Sequence, residues 1–125
     1  APGKPAHVPV EYIPAAQAVM TIHAAKGLAV LAHPGANIGM NEKLAEKVLS
    51  LPLDGIEVFS SYHNEEATVF YKALAEKHSL LLTGGSDFHG RTKPDIHLGG
   101  INYDGREPEI RDALLAALVQ AKNTQ

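Results

Sequence analysis

Three short apolar runs, each followed directly by polar residues, constrain the fold of this chain more than any other feature. They are Leu28–Ala32, Ile56–Phe59 and Leu80–Thr83. Stretches with apolar residues at helical spacing separate them, and a further helical stretch follows the third run. Such alternation is typical of parallel β-strands covered by helices. We therefore predict an α/β fold built of parallel βα units.

Proline and asparagine residues predict where the four helices begin, and a glycine and a proline predict where the first two end. The residues that mark these ends are Pro14 and Gly27, Asn41 and Pro52, Asn64 and His78, and Pro108 and Lys122. Residues 1–13 are expected to be an irregular lead-in, and 33–40 and 86–105 to be loops. The predicted inward face of the last helix consists of Ile110, Ala113, Leu114, Ala117 and Leu118. Three strands are few for a parallel sheet, which normally has both faces and edges covered, so the chain is predicted to be part of a larger fold.

Metal-binding side chains follow two of the predicted strands. His33 comes after the first run, and Asp87 and His89 come shortly after the third. The carboxyl ends of parallel strands open on the same crevice, and imidazole and carboxylate groups are common ligands of divalent metals. Taken alone, an Asp-x-His after a strand is also typical of a turn with an Asx-type hydrogen bond. The combination with His33 favours a metal site.

Composition excludes several classes of protein. The 125 residues are 45% hydrophobic and 20% charged, as expected for one globular domain. A net charge of −3, with no cluster of Lys and Arg, gives no electrostatic surface for nucleic acid or membranes, so nucleic acid is expected only as a substrate. No segment resembles a signal peptide or a membrane span, so a cytoplasmic location is expected.

The chain contains no cysteine but seven histidines. The absence of cysteine excludes disulfides, thiolate zinc sites and cysteine nucleophiles. Any metal must therefore be held by nitrogen and oxygen ligands.

Three motifs together resemble the PHP (polymerase and histidinol phosphatase) family. They are Ala32-His33-Pro34-Gly35, then Asp54-Gly55-Ile56-Glu57-Val58, then Gly85-Ser86-Asp87-Phe88-His89-Gly90. The resemblance covers nearly the whole chain and is closest to the small metal-dependent phosphoesterases of that family. It implies a distorted, TIM-like (β/α)7 barrel with two or three divalent ions, Mn, Zn, Fe or Mg, at the carboxyl end of its strands.

The resemblance also implies roles for individual residues. By position, His33 is similar to the metal-binding histidine of the His-Pro-Gly motif, and Asp87 and His89 to the closing pair that serves two different metals. In such enzymes a metal-activated water hydrolyses a phosphate ester of a small metabolite, a nucleotide or a short oligonucleotide. Near these ligands, we expect His63 to protonate a leaving oxygen or to donate a hydrogen bond to phosphate.

Several charged residues carry weaker expectations. Arg91 and Lys93 follow His89 and are expected to bind phosphate oxygens, although both also fit solvated loop charges. His63 also fits a polar residue that flanks a helix. Glu57 lies inside an apolar strand and is not assigned as a ligand, and His97 lies in the long loop.

One family motif is absent from the chain. PHP proteins open with His-x-His, but the histidines here are at positions 7, 23, 33, 63, 78, 89 and 97. Residues 1–125 therefore resemble the carboxyl-terminal portion of a PHP domain. We expect the isolated chain to be inactive or nearly so, because the remaining ligands make only partial metal sites.

Other interpretations remain open. The same motifs fit a polymerase-associated PHP nuclease or structural module. Strand-end His and Asp ligands also fit a metal-dependent amidohydrolase, and a barrel that has lost its site would be a non-catalytic binding domain. A partial barrel exposes sheet edges and apolar surface, so self-association, for example as a dimer, is expected.

Overall fold

Helices and strands alternate along the chain in the computed structural model, which describes residues 3 and 5–124. The elements are α1 Ala15–Ala24, β1 Val30–Leu31, α2 Pro34–Ile38, α3 Glu42–Leu49, β2 Gly55–Ser60, α4 Glu65–Lys77, β3 Leu81–Gly85, a 3-10 turn Gly90–Thr92, and α5 Glu107–Asn123. The described part of the lead-in up to residue 14 contains neither helix nor strand, as predicted. Residues 1, 2 and 4 of that lead-in, and residue 125, lie outside the described residues.

The three strands form one parallel sheet in the order β1-β2-β3. Glu57 pairs with Thr83, but the next pair is Phe59 with Gly84, so Val58 is an extra residue on β2. Such a bulge releases the backbone groups of the extra residue from the ladder. The predicted parallel α/β arrangement is confirmed, although β1 contains only two of the five residues predicted for it.

The core lies between the sheet and helices α3 and α4. Ile56 and Val58 of β2 and Tyr71 of α4 are fully buried. Around them lie Ala45, Leu49, Phe59, Leu74 and Ala75. Burial of a large apolar side chain stabilises a fold by about 1.5–3 kcal/mol, so this layer holds β2 at the centre of the sheet.

Two helices begin where their asparagines predict. The side chain of Asn41 accepts a hydrogen bond from the Leu44 N–H at 3.0 Å, and that of Asn64 accepts one from the Ala67 N–H at 2.8 Å. Each bond satisfies an N–H that has no partner within the first turn of its helix. α1 ends at Ala24, shortly before the predicted stop at Gly27, and Lys26, with φ 61°, takes the left-handed conformation that often follows a helix.

Two predictions about helices are wrong. The segment predicted as a loop after His33 contains the short helix α2, which Pro34 can begin because a first-turn residue needs no hydrogen-bonded N–H. In α5, Ala113 is exposed rather than inward-facing. The other four predicted positions are half-buried, and α5 packs against β3.

Apolar side chains are exposed at the margins of the fold. In the segment that precedes α1 they are Val8, Val10, Tyr12 and Ile13, and in α1 only Val19 is buried. None of the helices within residues 3 and 5–124 is both long and apolar enough to cross a membrane.

Candidate metal centre

The carboxyl ends of all three strands place polar residues at one edge of the sheet. His33 follows β1, Tyr62 follows β2, and Asp87 and His89 follow β3. The ring of Tyr62 connects these strand ends. Its centroid lies 5.0 Å from that of His33, and its hydroxyl donates a hydrogen bond to Asp87 Oδ2 at 2.7 Å. The structure thus brings His33 and Asp87 to the two sides of Tyr62.

Asp87 is held by a compact polar cluster. Its Oδ2 also accepts a hydrogen bond from Lys93 Nζ at 2.5 Å, and the same ammonium donates to the Tyr62 hydroxyl at 2.5 Å. The hydrogen bond from Lys93, followed by that from Tyr62, lowers the pKa of Asp87 to about 2. The hydrogen bond to Asp87 in turn raises the pKa of Lys93. The pair is therefore carboxylate and ammonium at neutral pH.

Both strand-end residues adopt backbone conformations that are costly for their type. His33 has φ 27° and Asp87 has φ 58°, both in the left-handed region. Aspartate tolerates this region better than histidine does, because its short side chain can hydrogen-bond locally. Such conformations concentrate at functional sites, where the surrounding structure maintains them.

His33 is anchored through its backbone rather than its ring. Its N–H donates to Glu57 Oε2 at 2.8 Å. Ring atom Nδ1 is buried, and within residues 3 and 5–124 it is the one buried side-chain nitrogen or oxygen without a hydrogen-bond partner. Buried polar groups are nearly always satisfied, so this nitrogen is a candidate to bind a further group.

His89 uses one ring nitrogen, Nδ1, in a local hydrogen bond. Nδ1 lies 2.6 Å from the backbone carbonyl oxygen of Asp87 and 3.6 Å from Asp87 Oδ1. When Nδ1–H donates to a carbonyl, Nε2 keeps its lone pair, which is the usual arrangement of a metal-binding histidine. The side chain is 49% exposed, so it is accessible.

Two residues of this edge were missed by the sequence-based prediction of site residues. Glu57 supports His33, and its Oε1 lies only 3.0 Å from the position that a Cβ on Gly85 would occupy. Its signal in the sequence was a carboxylate inside an otherwise apolar strand. Tyr62 gave no such signal, because an aromatic residue in a loop usually packs without a specific role.

His63 does not have the geometry predicted for a proton donor. Its Nδ1–H donates to the carbonyl of Val58 at 2.7 Å, and its Nε2 accepts the Gly35 N–H at 2.9 Å. The ring also stacks on Tyr71, with centroids 5.1 Å apart. Both nitrogens are therefore bonded to backbone groups, and the predicted role of His63 as a proton donor would require one of these bonds to break.

The two predicted phosphate-binding residues are placed differently from one another. Arg91 is exposed in the 3-10 turn, and its guanidinium makes no hydrogen bond or ion pair within residues 3 and 5–124. In this structure Asp87 and Tyr62 both accept hydrogen bonds from the ammonium of Lys93, so Lys93 would have to leave them to bind phosphate.

The residues present fit part of a divalent metal centre. The unpartnered nitrogen of His33, the ionised carboxylate of Asp87 and Nε2 of His89 are the nitrogen and oxygen donors that Zn, Mn and Fe accept. Across the described part of the chain, however, no group of three or more His, Asp and Glu side chains is arranged to hold one ion. This edge of the sheet therefore supplies possible metal ligands but not a complete coordination site.

A cleft of about 730 Å³ lies beside this edge, and Ser61 and His63, on either side of Tyr62, contribute to its wall. None of the three predicted metal ligands lines it. Its ionisable residues are His63, Glu65, Asp95, His97 and Asp104. Three carboxylates make the cleft unfavourable for phosphate.

Comparisons with known proteins identify relatives of the chain. No protein-family model matches it. It is 36% identical over 92 residues to a 3',5'-nucleoside bisphosphate phosphatase of Chromobacterium violaceum, over 70% of this chain and 32% of that protein. It is also 36% identical to a phosphoribosyl 1,2-cyclic phosphate 1,2-diphosphodiesterase of Eggerthella lenta, over 72% of this chain and 34% of the relative. With the 5'-3' exoribonuclease Rnm of Escherichia coli it shares 35% identity over 78% of this chain and 34% of the enzyme.

Two solved structures resemble the fold. A protein of Bifidobacterium adolescentis, provisionally described as a metal-dependent phosphoesterase, matches 94% of this chain and 41% of its own, with a TM-score of 0.70 and 25% identity. An amidohydrolase of Chromobacterium violaceum with bound sulfate matches 98% of this chain and 45% of its own, with a TM-score of 0.65 and 29% identity.

These matches define the class of the protein. The chain is related to PHP-type phosphoesterases, as its three motifs indicated. The predicted α/β fold of parallel βα units is confirmed, and both solved structures share it over most of this chain. The chain spans about a third of the length of the curated relatives that it matches.

Proposed function

We propose that this chain contributes ligands to the metal centre of an enzyme that hydrolyses phosphate esters. The observation that carries the proposal is the convergence of His33 and Asp87 on Tyr62, with one buried nitrogen of His33 unpartnered. His89 completes the proposed ligand set. The named activities of the relatives, on a nucleoside bisphosphate, a cyclic phosphate and RNA, support a small phosphorylated metabolite, nucleotide or short oligonucleotide as substrate.

Bound divalent ions, Mn, Zn, Fe or Mg, would supply an activated water and would neutralise charge on the phosphoryl oxygens. The chain's own residues have simpler tasks. Glu57 and Tyr62 position His33 and Asp87, respectively. Arg91, whose guanidinium is exposed beyond His89, is the residue that we propose to bind phosphate oxygens.

We further propose that residues 1–125 are the carboxyl-terminal portion of a PHP domain with a TIM-like barrel, and that 1–13 are its lead-in. The matches to about a third of each relative support the first part of this proposal, that the chain is a portion of a longer domain. An isolated portion would have too few ligands for efficient catalysis and would expose the edge strands β1 and β3, through which we propose that it self-associates. We also propose a cytoplasmic location.

Hydrolysis by the longer protein proposed to contain this chain tests the function. A nucleoside 3',5'-bisphosphate, a cyclic phosphodiester and a short 5'-phosphorylated RNA would be offered with Mn²⁺. We expect turnover of at least one by the longer protein, little by the 125-residue chain, and a loss of roughly 100-fold or more in Asp87→Asn. Asp112→Asn makes the same chemical change on the exposed face of α5 and should retain activity. Full activity in Asp87→Asn, or efficient turnover by the isolated chain, would contradict the proposal.

A second candidate function is amide hydrolysis, which the likeness to a solved amidohydrolase supports. The same preparation would be assayed with N-acyl amino acids and cyclic amides under identical metal conditions. We expect phosphate esters to be hydrolysed and these amides not, and the opposite preference would replace the first proposal by the second.

A further inference from the structure

The ammonium group of Lys93 occupies the space in front of Asp87 that a metal ion would need. Lys93 Nζ lies 2.5 Å from Asp87 Oδ2, and the Tyr62 hydroxyl lies 2.7 Å from the same oxygen. Lys93 also lies over the Tyr62 ring, with Nζ 5.1 Å from its centroid. One carboxylate oxygen thus has two close donors, one of them a full positive charge.

A divalent ion and this ammonium cannot share Asp87 Oδ2. Metal–carboxylate distances are about 2.0–2.6 Å, so an ion at Oδ2 would contact Lys93 Nζ. Two cations at such a distance repel strongly, particularly where protein surrounds one side of them. Binding of a metal at Oδ2 therefore requires Lys93 to move.

Lys93 is able to move. Its side chain is 38% exposed, whereas that of Asp87 is 25% exposed. A lysine side chain has four rotatable carbons and a compact charge that solvates readily, so it can leave the carboxylate for water without a change in the fold. Tyr62 would keep its own hydrogen bond to Asp87 and so preserve the orientation of the carboxylate.

We propose that Lys93 is an internal counter-ion of Asp87 in the metal-free protein and that a divalent metal displaces it, so that Lys93 sets the affinity of the site. The proposal rests on the proposed function, because it requires Asp87 to be a metal ligand. The proposal also agrees with the predicted binding of phosphate by Lys93, because its ammonium, once displaced, would be free to contact phosphoryl oxygens near the metal.

The test measures Mn²⁺ binding by the longer protein proposed to contain this chain, with isothermal titration calorimetry. Lys93→Met removes the competing charge and should tighten binding about fivefold, the effect of one partly exposed ion pair. Lys93→Arg keeps the charge and should not tighten binding. Lys77→Met is the matched control, because Lys77 forms an ion pair of similar length, 2.6 Å, with Glu46, remote from the site.

Each result has a distinct meaning. If Lys93→Met binds Mn²⁺ with unchanged or lower affinity, the proposed displacement of Lys93 is overturned, but the proposed metal site is not. Equal tightening by Lys77→Met also overturns it, because net charge alone would then explain the gain. If no variant binds Mn²⁺, the proposed metal site fails together with the inference.

A second measurement does not depend on how well the variants fold. Lysine ammonium protons that are hydrogen-bonded exchange slowly enough to be followed by ¹⁵N NMR, and Lys93 donates to two partners. Addition of Zn²⁺ to the unmodified chain should remove the Lys93 ammonium signal and leave that of Lys77. A Lys93 signal that persists at saturating Zn²⁺ would overturn the proposal.

Discussion

His33 and His63 follow neighbouring strands, yet the fold uses them in opposite ways. Both ring nitrogens of His63 are bonded to backbone groups, whereas Nδ1 of His33 is buried without a partner. A fully bonded imidazole stabilises the protein but has nothing left to offer a substrate. The comparison teaches that, at these strand ends, unmet hydrogen-bonding capacity distinguishes a candidate ligand from a structural residue of the same type.

The difference originates in the bulge of β2. Because Val58 is the extra residue of the strand, its carbonyl is available to accept the His63 Nδ1–H. Gly35 then approaches the other side of the ring so closely that a Cβ would lie 2.8 Å from His63 Nε2. The His-Pro-Gly motif thus affects both histidines, because it contains His33 and its glycine leaves space for the ring of His63.

The largest expected effect comes from removing each imidazole in turn. His63→Ala should lower the free energy of unfolding by about 3 kcal/mol, because it leaves the Val58 carbonyl and the Gly35 N–H unpaired and removes the stack on Tyr71. His33→Ala should cost less than about 1 kcal/mol, because Nδ1 of its ring leaves no hydrogen-bond partner unpaired and the ring's aromatic contact is the edge-on one with Tyr62. Urea unfolding followed by circular dichroism measures both. Equal costs would remove the distinction between the two residues.

A smaller effect is expected at Gly35. Gly35→Ala should cost about 2 kcal/mol, because the added methyl group overlaps the His63 ring. In the His63→Ala background most of that cost should vanish, since the overlap is gone. Gly100→Ala is the control, because its Cβ would meet His97 at an ordinary 3.7 Å. Additive costs for Gly35→Ala and His63→Ala would show that the ring does not explain the glycine.

The ionisation of Asp87 tests the strand end that follows β3. Because the pKa of Asp87 is lowered from 3.8 to about 2, its ion pair stabilises the folded protein fully above about pH 4 and is lost as the pH falls toward 2. Carboxyl ¹³C NMR of the folded chain should show that midpoint. In Lys93→Met the pKa should rise toward 3.8, and a midpoint that stays near 2 would contradict the hydrogen bond as its cause.

Local features were predictable from the sequence, and contacts between distant segments were not. The capping residues Asn41 and Asn64 begin their helices as predicted, because a cap depends on residues three positions away. The left-handed conformation at His33 and the helix directly after it were missed. The hydrogen bond that holds the His33 backbone is accepted by Glu57, which is 24 positions away.

The candidate site shows the same limit. Its ligand types and their strand-end positions followed from His33, Asp87 and His89 in the sequence, and the motifs supplied the family. The link between Tyr62 and Lys93 joins residues 31 positions apart, and no spacing rule predicts it. The bonds of His63 to Val58 and Gly35 were not predicted, because neither the strand bulge nor the close approach of Gly35 is visible in the sequence pattern.

Histidine ¹⁵N NMR of the chain during titration with Zn²⁺ tests most directly whether Nδ1 of His33, which has no hydrogen-bond partner, lies at the metal centre. Our account predicts that the ring nitrogens of His33 and His89 shift strongly on Zn²⁺ binding, while those of His63 keep the chemical shifts of a doubly hydrogen-bonded neutral ring. Shifts confined to His63, or an unchanged His33 at saturating Zn²⁺, would contradict it.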